Sequence, residues 1–184
     1  HCSTHMDAPF HFIRNGDTIE SIPIERFIGP ALVCDVSDVS GSQIEAEHLL
    51  AALAQLDQPI RRGGFVLLKT TSRHGQGKGI GRSAAEYLVK QGVSLVGTDH
   101  GGIDNTGNRD RPGHMVLLGN NVLIVENLVN LDRIVGKEVL LVAAPLAFEG
   151  GTGSPVRPMA ICPYIEAAWS ILSSFHHRKE DQST

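Results

Sequence analysis

Short apolar runs alternate along this chain with amphipathic or glycine-rich stretches. Residues 31–36 (A-L-V-C-D-V) and 64–71 (G-F-V-L-L-K-T-T) have the length and side-chain types of buried strands. Between them, Ser42-Gln43-Ile44-Glu45 has capping-box spacing and opens an apolar-periodic helix that runs through Leu56 and is stopped by Pro59. A second helix, over about 83–91, ends at Gly92 as its C-cap residue, and 93–97 follows as a strand, which completes a strand-helix-strand unit. Residues 122–125, 138–144 and 156–161 add strands. A last helix is predicted over 163–175, with Ile165, Ala168, Trp169 and Leu172 on one face, before a polar tail. The alternation predicts an α/β fold. With no repeat or linker in view, a single domain over 1–184 is expected.

Composition narrows the class. The chain has 184 residues, 41% of them hydrophobic and 20% charged, which suits a soluble globule long enough to bury a core. Its longest apolar run, 139–148, contains Pro145 and falls far short of the roughly 20 residues of a membrane-spanning helix. No membrane partner is expected. A net charge of −4 with scattered Lys and Arg excludes a nucleic-acid footprint. Cys2, Cys34 and Cys162 are odd in number and unpatterned, so buried thiols in a reducing cytoplasm are expected rather than disulfides. The sequence starts without an initiator Met or a secretory pattern, and a further N-terminal segment is expected to precede it.

One motif points toward a dinucleotide. Gly79-Ile80-Gly81-Arg82-Ser83-Ala84 fits G-x-G-x-x-A, and Asp99 lies 20 residues beyond Gly79. In a true phosphate-binding turn the first glycine leaves the strand directly, whereas here 72–78 intervenes. A glycine-rich connection near a site explains the pattern better.

The residues that carry chemistry lie elsewhere. His1, His5, Asp7 and His11 crowd the first eleven positions, and Pro9 argues against a helix, so a loop or turn is expected there. Imidazoles and a carboxylate suit zinc or manganese, and the two oxygens of Asp7 can serve two ions. Far along the chain come His114 and, twelve residues later, Glu126, embedded in V-L-I-V-E-N-L-V. A glutamate in an apolar strand is costly unless paired or metal-bound. A core salt bridge to an arginine is the alternative to ligation.

Taken together, H-x-x-T-H-x-D-x-P-x-H, Thr98-Asp99, the His114/Glu126 pair, V-E-N-L-V-N-L and P-L-A-F-E-G-G-T-G-S-P-V-R resemble the bacterial cyclase-like family of metal-dependent hydrolases, which includes kynurenine formamidase and isatin hydrolase. The resemblance runs from His1 to about Ile161. It implies a swivelling β/β/α domain with mixed sheets and flanking helices, a homodimer or homotetramer, and two divalent ions per chain, Zn2+ first and Mn2+ second. By the same resemblance His1 and His5 bind one ion, His114 binds the other, and Asp7 and Glu126 bridge them. His11 is then the proton donor and acceptor. Phe10, His100 in the loop 98–105 and Glu149 in the late glycine-rich loop are the candidate substrate contacts. The implied reaction is hydrolysis of an amide, formamide, cyclic amide or lactone in a small molecule. Glu126 in place of glutamine resembles the formamidase branch more than isatin hydrolase. The substrate-stacking tryptophan of formamidases has no counterpart before His1 in this sequence. A metal-containing binding protein without turnover is the other reading, and His11 beside a full ligand set argues against it.

Overall fold

A strand such as 65–69, apolar on both faces, must sit inside a sheet with cover on each side. The computed structural model describes residues 1–56, 58–71 and 77–162. Its eight strands are β1 (His5–Asp7), β2 (Ile28–Asp35), β3 (Phe65–Lys69), β4 (Leu95–Thr98), β5 (Leu123–Glu126), β6 (Glu138–Val142), β7 (Gly153–Pro155) and β8 (Met159–Ile161). They form one mixed sheet in the order β7-β1-β5-β4-β3-β2-β6-β8. The four central strands pair in parallel, and the outer pairings, β1 on β5 and β7 and β6 on β2 and β8, are antiparallel.

Helices α1 (Ala46–Leu53), α2 (Arg82–Gln91) and α3 (Pro112–Gly119) make the crossovers between the parallel strands. All three cover one face, where Leu49, Ala85, Leu88 and Leu117 pack on Val66, Leu68, Val96 and Ile124. Among the described residues no α-helix covers the opposite face. There Phe65, Leu67, Leu95 and Val125 meet Met6, Phe27, Leu131 and Leu141. Alternate residues of one strand thus feed two separate cores. This is the expected mixed-sheet architecture, with α1, α2 and α3 on one side. No helix among the described residues is long and apolar enough to cross a membrane.

Several local expectations change. The first helix begins at Ala46, capped by Glu45 in a reciprocal capping box with His48, because Ile44 is buried in a bridge to Ile80. The segment expected as a loop at His5–Asp7 is a strand, since β5 and β7 supply hydrogen-bonding edges on both of its sides. Three residues are too few for a periodic signal. Helix α3 was hidden by a nearly uniform apolar composition, although Pro112 stands in its first turn, where a missing N–H costs nothing. Only Cys34 is buried; Cys2 and Cys162 are exposed, so the expectation of three buried thiols holds for one. The helix expected over 163–175 lies outside the described residues.

Candidate metal centre

Strand periodicity builds the centre. Residues two apart on a strand share a face, so Met6 enters the core opposite α1, α2 and α3 while His5 and Asp7 point the other way, toward α3. Across the ladder His5 stands opposite Glu126, the last residue of β5, which brings the two side chains together. His5 Nε2 lies 3.5 Å from Glu126 Oε2 and 3.3 Å from Asp7 Oδ1. From α3, His114 turns its Nε2 to within 3.4 Å of Asp7 Oδ2 and 3.3 Å of Glu126 Oε1. His5, Asp7, His114 and Glu126 are all buried, Asp7 completely.

Two more imidazoles close the group. Residues 9–11 form a single 3-10 turn led by Pro9, which swings the chain back after Asp7 and carries His11. His11 stacks on His1 at a ring-centroid distance of 3.8 Å, and His1 Nδ1 reaches Asp7 Oδ1 at 2.5 Å. On its far side His1 Nε2 meets the Thr152 hydroxyl at 3.1 Å. Gly153, on β7, leaves room for this ring, because a Cβ there would stand 2.9 Å from His1 Cε1. Ligand-type atoms of His1, Asp7 and His11 lie within 4.8 Å of one another, and so do those of His5, Asp7 and Glu126. Asp7 belongs to both triads. This grouping puts His11 beside His1 and His5 beside Glu126, whereas the resemblance pairs His1 with His5.

Hydrogen bonding orients the buried rings from behind. His5 Nδ1 bonds the Ser3 carbonyl at 2.9 Å, and His114 Nδ1 bonds Asp104 Oδ2 at 2.6 Å. In each ring the nitrogen facing the carboxylates is then the one without a hydrogen when the imidazole is neutral. The charge balance reflects the crowding of acids. Burial disfavours protonated His114, but Asp104, Asp7 and Glu126 outweigh it and push its pKa up to about 11. The same contest raises His5. Burial opposes ionisation of Asp7, yet the neighbouring imidazoles of His114 and His5 hold its carboxyl below the ordinary range. His11 goes the other way: burial outweighs the pull of Asp7 and holds its pKa below the usual value, keeping the ring neutral at pH 7.

A cation fits what these atoms lack. His5 Nε2 and Asp7 Oδ2 are buried and have no hydrogen-bond partner among the described residues. Leaving such groups unanswered costs about 1–3 kcal/mol each. Imidazole nitrogens and carboxylate oxygens converging on one space are a donor set for a divalent transition metal.

The remaining predicted residues take other places. Phe10 is exposed beside His11. His100 is half-buried, its Nδ1 bonded to the Gly102 carbonyl at 2.6 Å. Glu149 is exposed, and it is Thr152 of the same loop that touches the cluster. Asp104 and Thr152 escaped sequence reasoning. An aspartate ten residues before a candidate ligand was the available signal for the first; the second had none. The dinucleotide motif also finds its explanation. A Cβ at Gly79 would meet the Asn105 nitrogen at 2.3 Å and Asp104 C at 2.4 Å, and one at Gly81 would meet the Glu45 carboxylate at 2.3 Å. These glycines serve close packing, and a protein carboxylate lies where a phosphate would approach α2.

Residues 1–105, more than half the chain, match the Cyclase family. The chain belongs to the Cyclase family. The matched stretch holds His1, His5, Asp7, His11 and Asp104. Over 167 residues it is 32% identical to kynurenine formamidase of Bacillus mycoides (strain KBAB4), covering 85% of this chain and 74% of that protein. Kynurenine formamidase of Salinibacter ruber (strain DSM 13855 / M31) is 34% identical over 164 residues, with the same shares covered. Among solved structures, an isatin hydrolase bound to the product analogue thioisatinate superposes with a TM-score of 0.76 at 29% identity, over 88% of this chain and 71% of that one. A potential metal-dependent hydrolase with cyclase activity gives 0.71 at 32%, over 86% and 77%. This Cyclase chain therefore shares its fold, and not only its N-terminal motif, with metal-dependent hydrolases.

Proposed function

We propose that this Cyclase chain is a metal-dependent hydrolase of a carbon–nitrogen bond other than a peptide bond, acting on an aryl formamide or a related small amide. The observation that carries the reading is the pair of unanswered buried atoms, His5 Nε2 and Asp7 Oδ2, at the centre of four imidazoles and two carboxylates. Kynurenine formamidases about one-third identical over most of the chain favour the formamide, and the isatin hydrolase likeness keeps cyclic amides within the substrate class.

In this reading His1, His5, Asp7, His114 and Glu126 would hold two ions, Zn2+ in first place and Mn2+ in second. When bound, such a pair supplies Lewis acidity for a carbonyl oxygen and activation of water. The chain's residues do the rest. Asp7 and Glu126 would supply the carboxylates that neutralise the positive charge of the ions. His11, half-buried and neutral at pH 7, takes a proton on its imidazole and returns it to the departing nitrogen. Phe10, His100 and Glu149 contact the small-molecule substrate. Homodimers or homotetramers are the proposed assembly, supported by the exposed apolar side chains Met159 and Ile161 on β8 at the end of the sheet. The proposed location is the cytoplasm.

The deciding experiment is a substrate panel of N-formylkynurenine, simple formanilides, isatin and lactones, run with Zn2+- or Mn2+-loaded protein and again after chelation. Turnover that disappears with the metal and returns on reloading is expected. A loaded protein inert across the panel would favour a metal-containing binding protein over an enzyme. Light scattering at micromolar concentration tests the assembly, and a monomer would contradict it.

A further inference from the structure

The two buried imidazoles of the centre are held from behind in different ways. For His5 the acceptor is a backbone carbonyl, that of Ser3, which also accepts the Asn127 side-chain amide at 3.1 Å. For His114 it is a side chain. We infer that Asp104 is a positioning residue of the metal centre, its carboxylate fixing the His114 ring so that Nε2 faces Asp7 and Glu126. The inference rests on the metal-hydrolase reading above and names a residue through which the centre is tuned.

Asp104 is buried in the loop between β4 and α3, and both of its oxygens are engaged. Oδ1 accepts the Gly113 N–H at 2.7 Å; Oδ2 accepts the His114 N–H at 3.2 Å and the His114 ring at 2.6 Å. An ionised carboxylate only accepts, so the ring keeps a hydrogen on Nδ1, and the neutral ring that would bind a metal has its Nε2 lone pair toward the cluster. The residue that precedes α3, Arg111, offers no side-chain cap, and Asp104 satisfies two of the first free N–H groups in its place. One side chain thereby fixes both the start of the helix and the ring that the helix carries. Its own position is set by Gly79, which packs on the Asp104 backbone more closely than any Cβ would allow.

The test separates positioning from simple capping. In Asp104→Asn a single oxygen cannot serve donors at both former oxygen positions, and an amide N–H facing His114 Nδ1 would favour the wrong tautomer. Zn2+ affinity of the protein, measured by competition with a chromophoric chelator, should fall about 10–100-fold, as when a hydrogen-bond partner behind a metal-binding histidine is removed. In a His114→Ala background the same change should cost no further affinity for the Zn2+ still bound. An equal loss in both backgrounds, or unchanged affinity in Asp104→Asn, would overturn the inference while leaving the hydrolase reading intact. A wild-type protein that takes up no Zn2+ would overturn both. Nitrogen-15 spectra of Zn2+-loaded wild type need no variant and decide the case even if Asp104→Asn fails to fold. A proton on His114 Nδ1 and none on Nε2 is expected, and the reverse tautomer would refute the inference.

Discussion

Two sets of acids stand at the ends of strands in this protein, and they live under opposite conditions. Asp35 closes β2 and Asp99 follows β4, both beside an open cleft of about 1040 Å³. Asp7 closes β1 and Glu126 closes β5, both buried under α3 and the turn 9–11. At the cleft each carboxylate is answered. Lys69 and Ser37 take Asp35, at 2.9 and 2.6 Å, and Asp99 accepts from the backbone and hydroxyl of Thr70, each at 2.7 Å. At the centre, by contrast, Asp7 Oδ2 faces imidazoles with no hydrogen bond made. The difference teaches that an open cleft lined with acids need not be the candidate site. Of the three buried side-chain atoms without a hydrogen-bond partner among the described residues, two, His5 Nε2 and Asp7 Oδ2, meet at the centre, and the third is Arg26 Nε.

The contrast can be broken by exchanging acid for amide in each set. Asp7→Asn should abolish hydrolysis, by about 10³-fold or more as for a group that acts as part of a catalytic unit. Asp99→Asn should lower kcat/KM by less than about 10-fold, since its loss costs only hydrogen bonds to Thr70 and Thr71. Comparable losses in the two variants, in parallel steady-state assays, would erase the distinction. Smaller in effect, His11→Ala should keep the metal and the fold while turnover drops roughly 10²–10⁴-fold, the usual contribution of a general acid-base group. His11 lies within ligand reach of Asp7 and His1, so metal content must be measured alongside. A variant that loses metal as Asp7→Asn does would make His11 a ligand instead.

Packing behind the centre gives the next effect. Gly79→Ala forces a Cβ into the Asp104–Asn105 backbone, and thermal unfolding should report about 1–3 kcal/mol lost, with weaker Zn2+ binding beside it. Unchanged stability would mean that the loop yields freely and does not fix Asp104.

The smallest effect concerns a residue remote from metal chemistry. Burial pushes the Cys34 thiol up from 9.0 to about 12. Between those values the unfolded chain has lost a proton that the folded chain keeps, so stability falls as pH rises, by up to about 1.4 kcal/mol per pH unit. Denaturant titrations at pH 8 and 10 should therefore show a smaller alkaline loss in Cys34→Ala than in wild type. Thiol reagents at pH 8 should label Cys2 and Cys162 in the native protein and spare Cys34.

Much of this was legible in the sequence because local patterns agreed with the global fold. Apolar runs marked β2 to β6 to within about three residues, and Gly92 ended α2 in the left-handed conformation its position suggested. His1, His5, Asp7, His114 and Glu126 were named from residue type and resemblance, and the structure brings them together with His11. What escaped was what depends on partners distant in sequence. β1 is a strand only because β5 and β7 flank it. Asp104 and Thr152 look ordinary until folding lays them against His114 and His1.

The account stands most directly on the metal content of the purified chain. Protein stripped of metal, reloaded with Zn2+ or Mn2+, dialysed and examined by elemental analysis should hold two divalent ions per chain, and Asp7→Ala, which removes the carboxylate shared by both triads, should hold close to none. Wild type that retains no ion at micromolar concentration, or an Asp7→Ala variant that retains as much as wild type, would contradict it.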